Sequence, residues 1–84
     1  MIINMRFVYM LRCDDWSLYT GITNDLEKRL FDHNNSKTWA KYTKSRRPVK
    51  LVRSTKVKDR ISASKLEFKI KKIGKMKKEE LLTW

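Results

Sequence analysis

The chain has 84 residues, of which 40% are hydrophobic and 36% charged, and its formal net charge is +12. This length suits one domain with one small core, spanning residues 1–84. No apolar run reaches the roughly 18 residues of a membrane span, and no signal peptide is recognisable. The lone Cys13 excludes an internal disulfide. We therefore expect a cytoplasmic protein without membrane association, either monomeric or weakly dimeric.

The positive charge is concentrated in the second half of the chain. Residues 1–42 carry six basic and five acidic side chains, whereas residues 43–84 carry fifteen basic and four acidic ones. Such a local excess favours a polyanionic partner, and nucleic acid fits best because each phosphate contact releases counterions. An anionic membrane fits less well, because no basic segment has a broad apolar face.

The first predicted elements are two strands that form an antiparallel hairpin. Residues 7–11 and 18–22 are rich in strand formers, and Asp14 and Asp15 mark the turn between them. The hairpin brings Tyr9 and Tyr19 onto neighbouring strands. Gly21, close to the end of the second strand, indicates a bulge or a close approach of another group to the backbone.

A helix is predicted next, over residues 26–33, with N-cap side chains at 23–25 and a stop at 34–36. Leu26 and Leu30 lie four residues apart and should pack on the sheet. Arg29 and His33 have the same spacing and should point in a common direction. Residues 37–48 are predicted to form a loop.

A third strand and two helices are predicted in the second half of the chain. The strand covers residues 49–55, and a helix capped by Asp59 covers about 60–74, with Glu67 at the border of its apolar stripe. A further short helix is predicted over 77–84. The order of elements predicts an α/β (α+β) domain with helices packed on a short sheet.

Five side chains in this order could cleave a phosphodiester. Tyr9 and Tyr19 could position or deprotonate water, Arg29 could bind the phosphate, and His33 could accept a phenolic proton. Glu67 offers an oxygen ligand of the kind that Mg²⁺ selects. Each residue alone also has an ordinary structural role, and spacing alone favours simple nucleic-acid binding over a nuclease.

The ordered motifs nevertheless resemble those of the GIY-YIG nuclease superfamily, and especially its small stand-alone bacterial members. The similarity covers about residues 6–82. It rests on Phe7-Val8-Tyr9, Tyr19-Thr20-Gly21, Gly21 to Leu26, Arg29, His33-Asn34, Ala40 to Thr43, Arg47-Pro48-Val49, Leu51-Val52 and Glu67. Phe7 stands where the name-giving glycine would be, and no asparagine follows Asn35.

The resemblance implies a three-stranded antiparallel sheet with flanking helices and a Mg²⁺-dependent or Mn²⁺-dependent hydrolysis of DNA. It implies that Tyr9 and Tyr19 are the signature tyrosines, without deciding which is the base. Arg29 would bind the phosphate, His33 would support the base, and Glu67 would hold the metal.

We expect nucleic acid to contact the basic segment and one lysine of the last long helix. The expected contacts are Lys41, Tyr42, Thr43, Lys44, Arg46, Arg47 and Lys71. Tyr42 and Thr43 match a motif that could instead shape the pocket, and Lys71 could instead pair with Glu67. Phosphate contacts do not read bases, so sequence specificity should be low.

The leading hypothesis is a single-domain DNA endonuclease, with DNA repair or recombination as its expected setting and a possible partner protein that targets the substrate. The rival is a non-catalytic module that binds DNA or RNA with the same fold. A third reading, a ribosome-associated factor, rests only on size and charge.

Overall fold

The computed structural model describes residues 5–35 and 41–81. It confirms the α+β class with a three-stranded antiparallel sheet. None of the helices within these residues has the length and hydrophobicity of a membrane span. The strands are β1 (Arg6–Arg12), β2 (Leu18–Thr23) and β3 (Lys50–Val57), and the helices are α1 (Leu26–Asn35), α2 (Lys41–Lys44), α3 (Arg60–Lys72) and α4 (Lys75–Leu81).

β1 is the central strand, and the order across the sheet is β2-β1-β3. In the register of the hairpin, Tyr9 lies opposite Gly21 and Leu11 lies opposite Tyr19. Tyr9 and Tyr19 are therefore diagonal neighbours on one face of the sheet, because they lie two positions apart in the register.

The two faces of the sheet are covered by different helices. Alternate residues of a strand point to opposite faces, and both sets on β1 are buried. Val8 and Met10 face α3, where they line a cavity with Leu66 and Ile70. Tyr9 and Leu11 belong to the core on the other face, which also contains Cys13, Val49, Tyr19, Leu26 and Leu30.

The two long helices begin at the predicted caps. Asp25 Oδ1 accepts a hydrogen bond from the Lys28 amide at 3.1 Å, and Asp59 Oδ1 accepts one from the Ser62 amide at 2.7 Å. These bonds satisfy amides that have no partner inside the helix. Since the caps fix where α1 and α3 start, they also fix which side chains face the sheet.

The predicted loop over 37–48 is wrong in part, because Lys41–Lys44 form the short helix α2. A single turn has too few residues for a helical pattern in the sequence. Here it is stabilised by later residues: the Arg46 amide donates to the Thr43 carbonyl at 2.9 Å, and the Arg46 side chain donates to the Tyr42 carbonyl.

The last helix begins two residues earlier than predicted, and residues 82–84 of that prediction lie outside the described part of the chain. Arg12 of β1 forms a two-pronged ion pair with Glu79. This pair joins α4 to the sheet near the turn of the hairpin.

Candidate active site

Tyr9 projects from the centre of the sheet, and only 2% of its surface is exposed. A Cβ atom added to Gly21 would lie 2.5 Å from the Tyr9 hydroxyl oxygen and 2.6 Å from Cζ. No real Cβ tolerates such a distance. The close approach expected at Gly21 is thus made by the Tyr9 ring, and the missing side chain leaves the space that the phenol occupies.

The phenol of Tyr9 reaches the imidazole of His33. The hydroxyl oxygen lies 2.8 Å from Nε2, and the other ring nitrogen, Nδ1, lies 2.8 Å from Oγ1 of Thr43. His33 and Thr43 are both fully buried. These three side chains, from β1, α1 and α2, form one hydrogen-bonded chain that we call the Tyr9–His33–Thr43 chain.

Two further contacts hold the imidazole in place. The His33 carbonyl accepts a hydrogen bond from Arg47 Nε at 2.6 Å. The ring of Tyr19 lies with its centroid 5.0 Å from that of His33 at a steep angle, and 6.3 Å from that of Tyr9. The two signature tyrosines and His33 are therefore brought together as expected.

The aromatic cluster continues to the surface through Tyr42. Its ring lies 5.6 Å from that of Tyr19, and the Arg46 guanidinium lies 4.1 Å above its centroid. Arg46 also forms an ion pair with Asp15 at 2.9 Å. Tyr42 is thus held between Tyr19 and Arg46, and it closes the cluster on the side of α2.

Burial and the charge of Arg29 shift the pKa values of the two titratable groups in the Tyr9–His33–Thr43 chain. Burial raises the pKa of Tyr9, and the neighbouring Tyr19 raises it further, whereas Arg29 lowers it. Burial lowers the pKa of His33 to about 4, and the nearby Arg29 guanidinium acts in the same direction. At neutral pH the phenol keeps its proton and the imidazole is uncharged.

Arg29 and Glu67 both line a cleft of about 370 Å³. The cleft lies beside the end of β2, between α1 and α3. The Glu67 side chain is about one quarter exposed and pairs with Lys71 at 3.3 Å. The residues that line the cleft are Arg6, Ile22, Thr23, Asn24, Arg29, Arg60, Ser64 and Glu67.

The donor set of this cleft fits one Mg²⁺ or Mn²⁺ ion with mostly non-protein ligands. Mg²⁺ is commonly held by one or two carboxylates, with water and phosphate oxygens completing its shell. Glu67 is a partly exposed carboxylate of this kind. Among the described residues there is no group of three or more His, Cys, Asp or Glu that could enclose a metal. Of the residues that line the cleft, Glu67 would hold such an ion.

The structure gives several predicted nucleic-acid contacts internal partners. Thr43 is fully buried against His33, which corrects the expectation that its hydroxyl contacts nucleic acid. Arg46 and Arg47 are half-buried and bind Asp15 and the His33 carbonyl. Lys71 pairs with Glu67. Lys44 and Tyr42 are exposed, and the side chain of Lys41 lies outside the described part of the structure.

Sequence reasoning missed two arginines of the cleft, Arg6 and Arg60. In a chain with 21 basic residues, an arginine at the start of a strand or helix has no distinguishing signal. It also left the role of Thr43 open, since the partner of that hydroxyl lies ten residues earlier in the chain.

The fold and this cleft define a small α+β domain with tyrosine, histidine, arginine and glutamate side chains around one site. The family model of the GIY-YIG catalytic domain matches residues 5–80. The chain therefore belongs to the GIY-YIG family, a family of nuclease-type domains, and the resemblance in the sequence is confirmed.

Relatives and solved structures agree with this assignment. The chain is 49% identical to a UPF0213 protein of Syntrophus aciditrophicus over 92% of its own length and 88% of the relative. It is 45% identical to the UPF0213 protein YazA of Bacillus subtilis, over 90% and 76% of the two chains. The solution structure of a UPF0213 protein from Bacillus halodurans is 37% identical with a TM-score of 0.61, covering 94% of this chain and 83% of that one.

Because His33 is buried, we expect the stability of the folded protein to fall as the pH falls from 6.5 towards 4. The unfolded chain binds a proton near the ordinary pKa of about 6.5, whereas the folded imidazole does so only at about 4. The folded state thus binds fewer protons in this interval, and the free energy of unfolding should drop by about 2 kcal/mol between pH 6.5 and 4.5.

Urea unfolding across this interval measures the effect, and an NMR titration of the only histidine in the chain measures its cause. Asp15 and Asp59 have lowered pKa values, so the stability that they contribute is lost mainly below this interval. An imidazole that titrates near pH 6.5 in the folded protein would contradict the burial effect.

Proposed function

We propose that this chain is a metal-dependent endonuclease that hydrolyses phosphodiester bonds of DNA with low sequence specificity. The observation that supports it most is the meeting of Arg29 and Glu67 in one cleft beside the Tyr9–His33–Thr43 chain. A module that only binds phosphate gains nothing from a carboxylate in a basic cleft, because the carboxylate repels the ligand.

Arg29 binds the scissile phosphate in this proposal. Its planar guanidinium can donate two parallel hydrogen bonds to phosphate oxygens and neutralise charge that develops on them. Because it adjoins both Tyr9 and His33, a phosphate bound there lies next to the groups that handle protons. Positioning and electrostatic stabilisation are the main contributions that a protein makes to phosphoryl transfer.

The Tyr9–His33–Thr43 chain takes up a proton from the attacking water: the water proton passes to the Tyr9 oxygen while the Tyr9 proton passes to Nε2 of His33, which becomes an imidazolium. The Tyr9 oxygen is close enough to Arg29 to accept a hydrogen bond from it. We infer that in the resting state the Tyr9 hydroxyl donates a hydrogen bond to Nε2 of His33. The imidazole proton is then on Nδ1, and Nδ1 donates a hydrogen bond to Oγ1 of Thr43. A neutral imidazole has one donor and one acceptor nitrogen, and this assignment satisfies both.

In the substrate-free state the pKa values oppose this relay, because the phenol holds its proton tightly and the imidazole accepts one poorly. A bound phosphate reverses part of this opposition. It neutralises the Arg29 charge that lowers the pKa of His33, so the imidazole becomes a stronger base when substrate is present. Because the same charge also lowers the pKa of Tyr9, its neutralisation makes the phenol a weaker acid, so substrate binding favours the accepting end of the relay only.

Glu67 would hold Mg²⁺ or Mn²⁺ in this cleft. When bound, such an ion stabilises the negative charge that develops on the phosphate and leaving-group oxygens. Phosphate contacts carry no direct sequence information, and the contacts assigned here to Arg29 and Glu67 are to the phosphate and its metal, which is the reason for the low specificity.

The proposal is tested by incubating the protein with end-labelled single-stranded, duplex and branched DNA in Mg²⁺, Mn²⁺ or EDTA. We expect cleavage in the divalent cations, none in EDTA, and binding in all three. Binding without cleavage under every condition would instead support the non-catalytic module. Cleavage that persists in EDTA would contradict the part given to the metal.

A further inference from the structure

The cleft contains more positive charge than one phosphate requires. Three guanidinium groups line it: Arg6 at the start of β1, Arg29 in α1 and Arg60 at the start of α3. Among the described residues that line it, Glu67 is the one carboxylate, and it is already paired with Lys71. Only Arg29 is needed for the scissile phosphate, so Arg6 and Arg60 are left without an assigned ligand.

Arg6 and Arg60 also differ from two other arginines, Arg12 and Arg46, in having no carboxylate partner among the described residues. Arg12 pairs with Glu79 and Arg46 pairs with Asp15. Within residues 5–35 and 41–81, neither Arg6 nor Arg60 has a carboxylate within 4 Å. The guanidinium groups of Arg12 and Arg46 are thus neutralised by carboxylates, whereas those of Arg6 and Arg60 line a concave site without one.

The acidic residue next to Arg60 does not neutralise it. Asp59 accepts a hydrogen bond from the Ser62 amide at 2.7 Å, as the cap of α3, and its pKa is lowered chiefly by that bond. Arg6 donates one hydrogen bond, to the neighbouring Met5 carbonyl at 3.0 Å. Like charges that share a cleft repel each other, and an anionic ligand relieves the repulsion.

We propose that Arg6 and Arg60 form a second phosphate site, which binds a phosphate adjacent to the scissile one on the same strand. This inference rests on the proposed function, because it takes the ligand of Arg29 to be a nucleic-acid phosphate. The cleft then selects polynucleotides with at least two consecutive phosphates over mononucleotides and inorganic phosphate.

The positions of the three arginines also give the strand a path. Arg29 comes from α1 and Arg60 from α3, and these helices cover opposite faces of the sheet. Ile22, Thr23 and Asn24 line the cleft between them. The bound strand therefore crosses the end of β2, with the scissile phosphate on the side of α1 and the next phosphate on the side of α3.

The test measures binding to labelled thymidine oligonucleotides with one, two, three and four phosphates, in EDTA so that no cleavage occurs. For the unmodified protein we expect the second phosphate to tighten binding by about tenfold or more. In the double variant Arg6→Gln/Arg60→Gln that gain should shrink to less than about threefold. Its salt slope on longer single strands should also fall by about 1–2.

The matched control is Lys50→Gln/Lys69→Gln, which removes the same charge from two exposed positions outside the cleft lining. It should weaken all lengths in parallel and keep the gain from the second phosphate. Equal gains in the double variant and the unmodified protein would overturn the inference, as would an unmodified protein that gains nothing from the second phosphate.

The measurement separates this inference from the proposed catalysis. If the double variant loses the gain from the second phosphate but the unmodified protein cleaves no DNA, the second phosphate site is supported and the nuclease proposal is contradicted. Thermal unfolding of both double variants provides the check on folding, and we expect midpoints close to that of the unmodified protein, because none of the four replaced side chains has an ion pair with another residue of 5–35 or 41–81.

Discussion

Replacing Arg29 with alanine is expected to lower the rate of DNA cleavage by a factor on the order of 10²–10³, the loss typical for removal of one preorganised transition-state contact. Arg29 lines the cleft together with Glu67 and adjoins the proton-handling pair Tyr9 and His33. Its removal takes away the group that binds the scissile phosphate. DNA affinity should fall far less, since the other basic residues still contribute.

A second readout of the same variant is the pKa of His33. The Arg29 charge lowers that pKa, so the Arg29→Ala protein should show an imidazole that titrates at higher pH in NMR. This shift is expected even without substrate. It distinguishes a guanidinium that acts on the site from one that only supports the helix.

Lys28→Ala is the matched control for Arg29→Ala. Lys28 is the preceding residue of α1, is largely exposed, and pairs with Asp32 at 3.3 Å. Its replacement removes the same charge from the same helix and should change the cleavage rate by less than about threefold, because exposed ion pairs contribute little. Equal rates in the two variants would contradict the role of Arg29.

Replacing Gly21 with alanine is expected to disrupt the site from within the sheet. The new Cβ would lie 2.5 Å from the Tyr9 hydroxyl oxygen, so either the phenol or the strand must move. Overpacking of this kind costs about 1–3 kcal/mol of unfolding free energy. That movement would directly disrupt the hydrogen bond between Tyr9 and His33. The rate of DNA cleavage should therefore fall by about 10²-fold or more.

Gly74→Ala is the control for this substitution, because a Cβ there meets no atom within 4 Å. Urea unfolding of the two variants compares the same chemical change with and without the clash. The substitution at Gly21 should also cost less in a Tyr9→Leu background, where the ring is absent. Equal unfolding midpoints for Gly21→Ala and Gly74→Ala would contradict the close packing inferred here.

The parts of this fold that sequence reasoning predicted are those with a local signal. The apolar run of β1, the turn after it and the caps Asp25 and Asp59 all depend on neighbouring residues, and the structure confirms them. The convergence of Tyr9, Tyr19 and His33 followed from strand pairing and from the family motifs. It could not have been derived from spacing alone, since Tyr9 and His33 lie 24 residues apart.

The parts that were missed depend on contacts between distant segments. The helix α2 exists because Thr43 and Tyr42 pack against α1 and β2, and no pattern in its four residues indicates that. The basic run that contains Arg46 and Arg47 suggested a nucleic-acid contact. The structure gives both guanidinium groups internal partners as well, which composition could not predict because it gives the amount of charge and not its partners.

The central claim is that this cleft performs catalysis, and the most direct measurement compares the unmodified protein with Glu67→Gln, purified side by side, in cleavage of labelled DNA with Mg²⁺. Glutamine keeps the shape of the side chain and removes its charge, at the cost of one exposed pair with Lys71. We predict a rate at least about 10²-fold lower, with DNA affinity in EDTA unchanged or slightly higher. Equal cleavage by the two proteins would contradict the account.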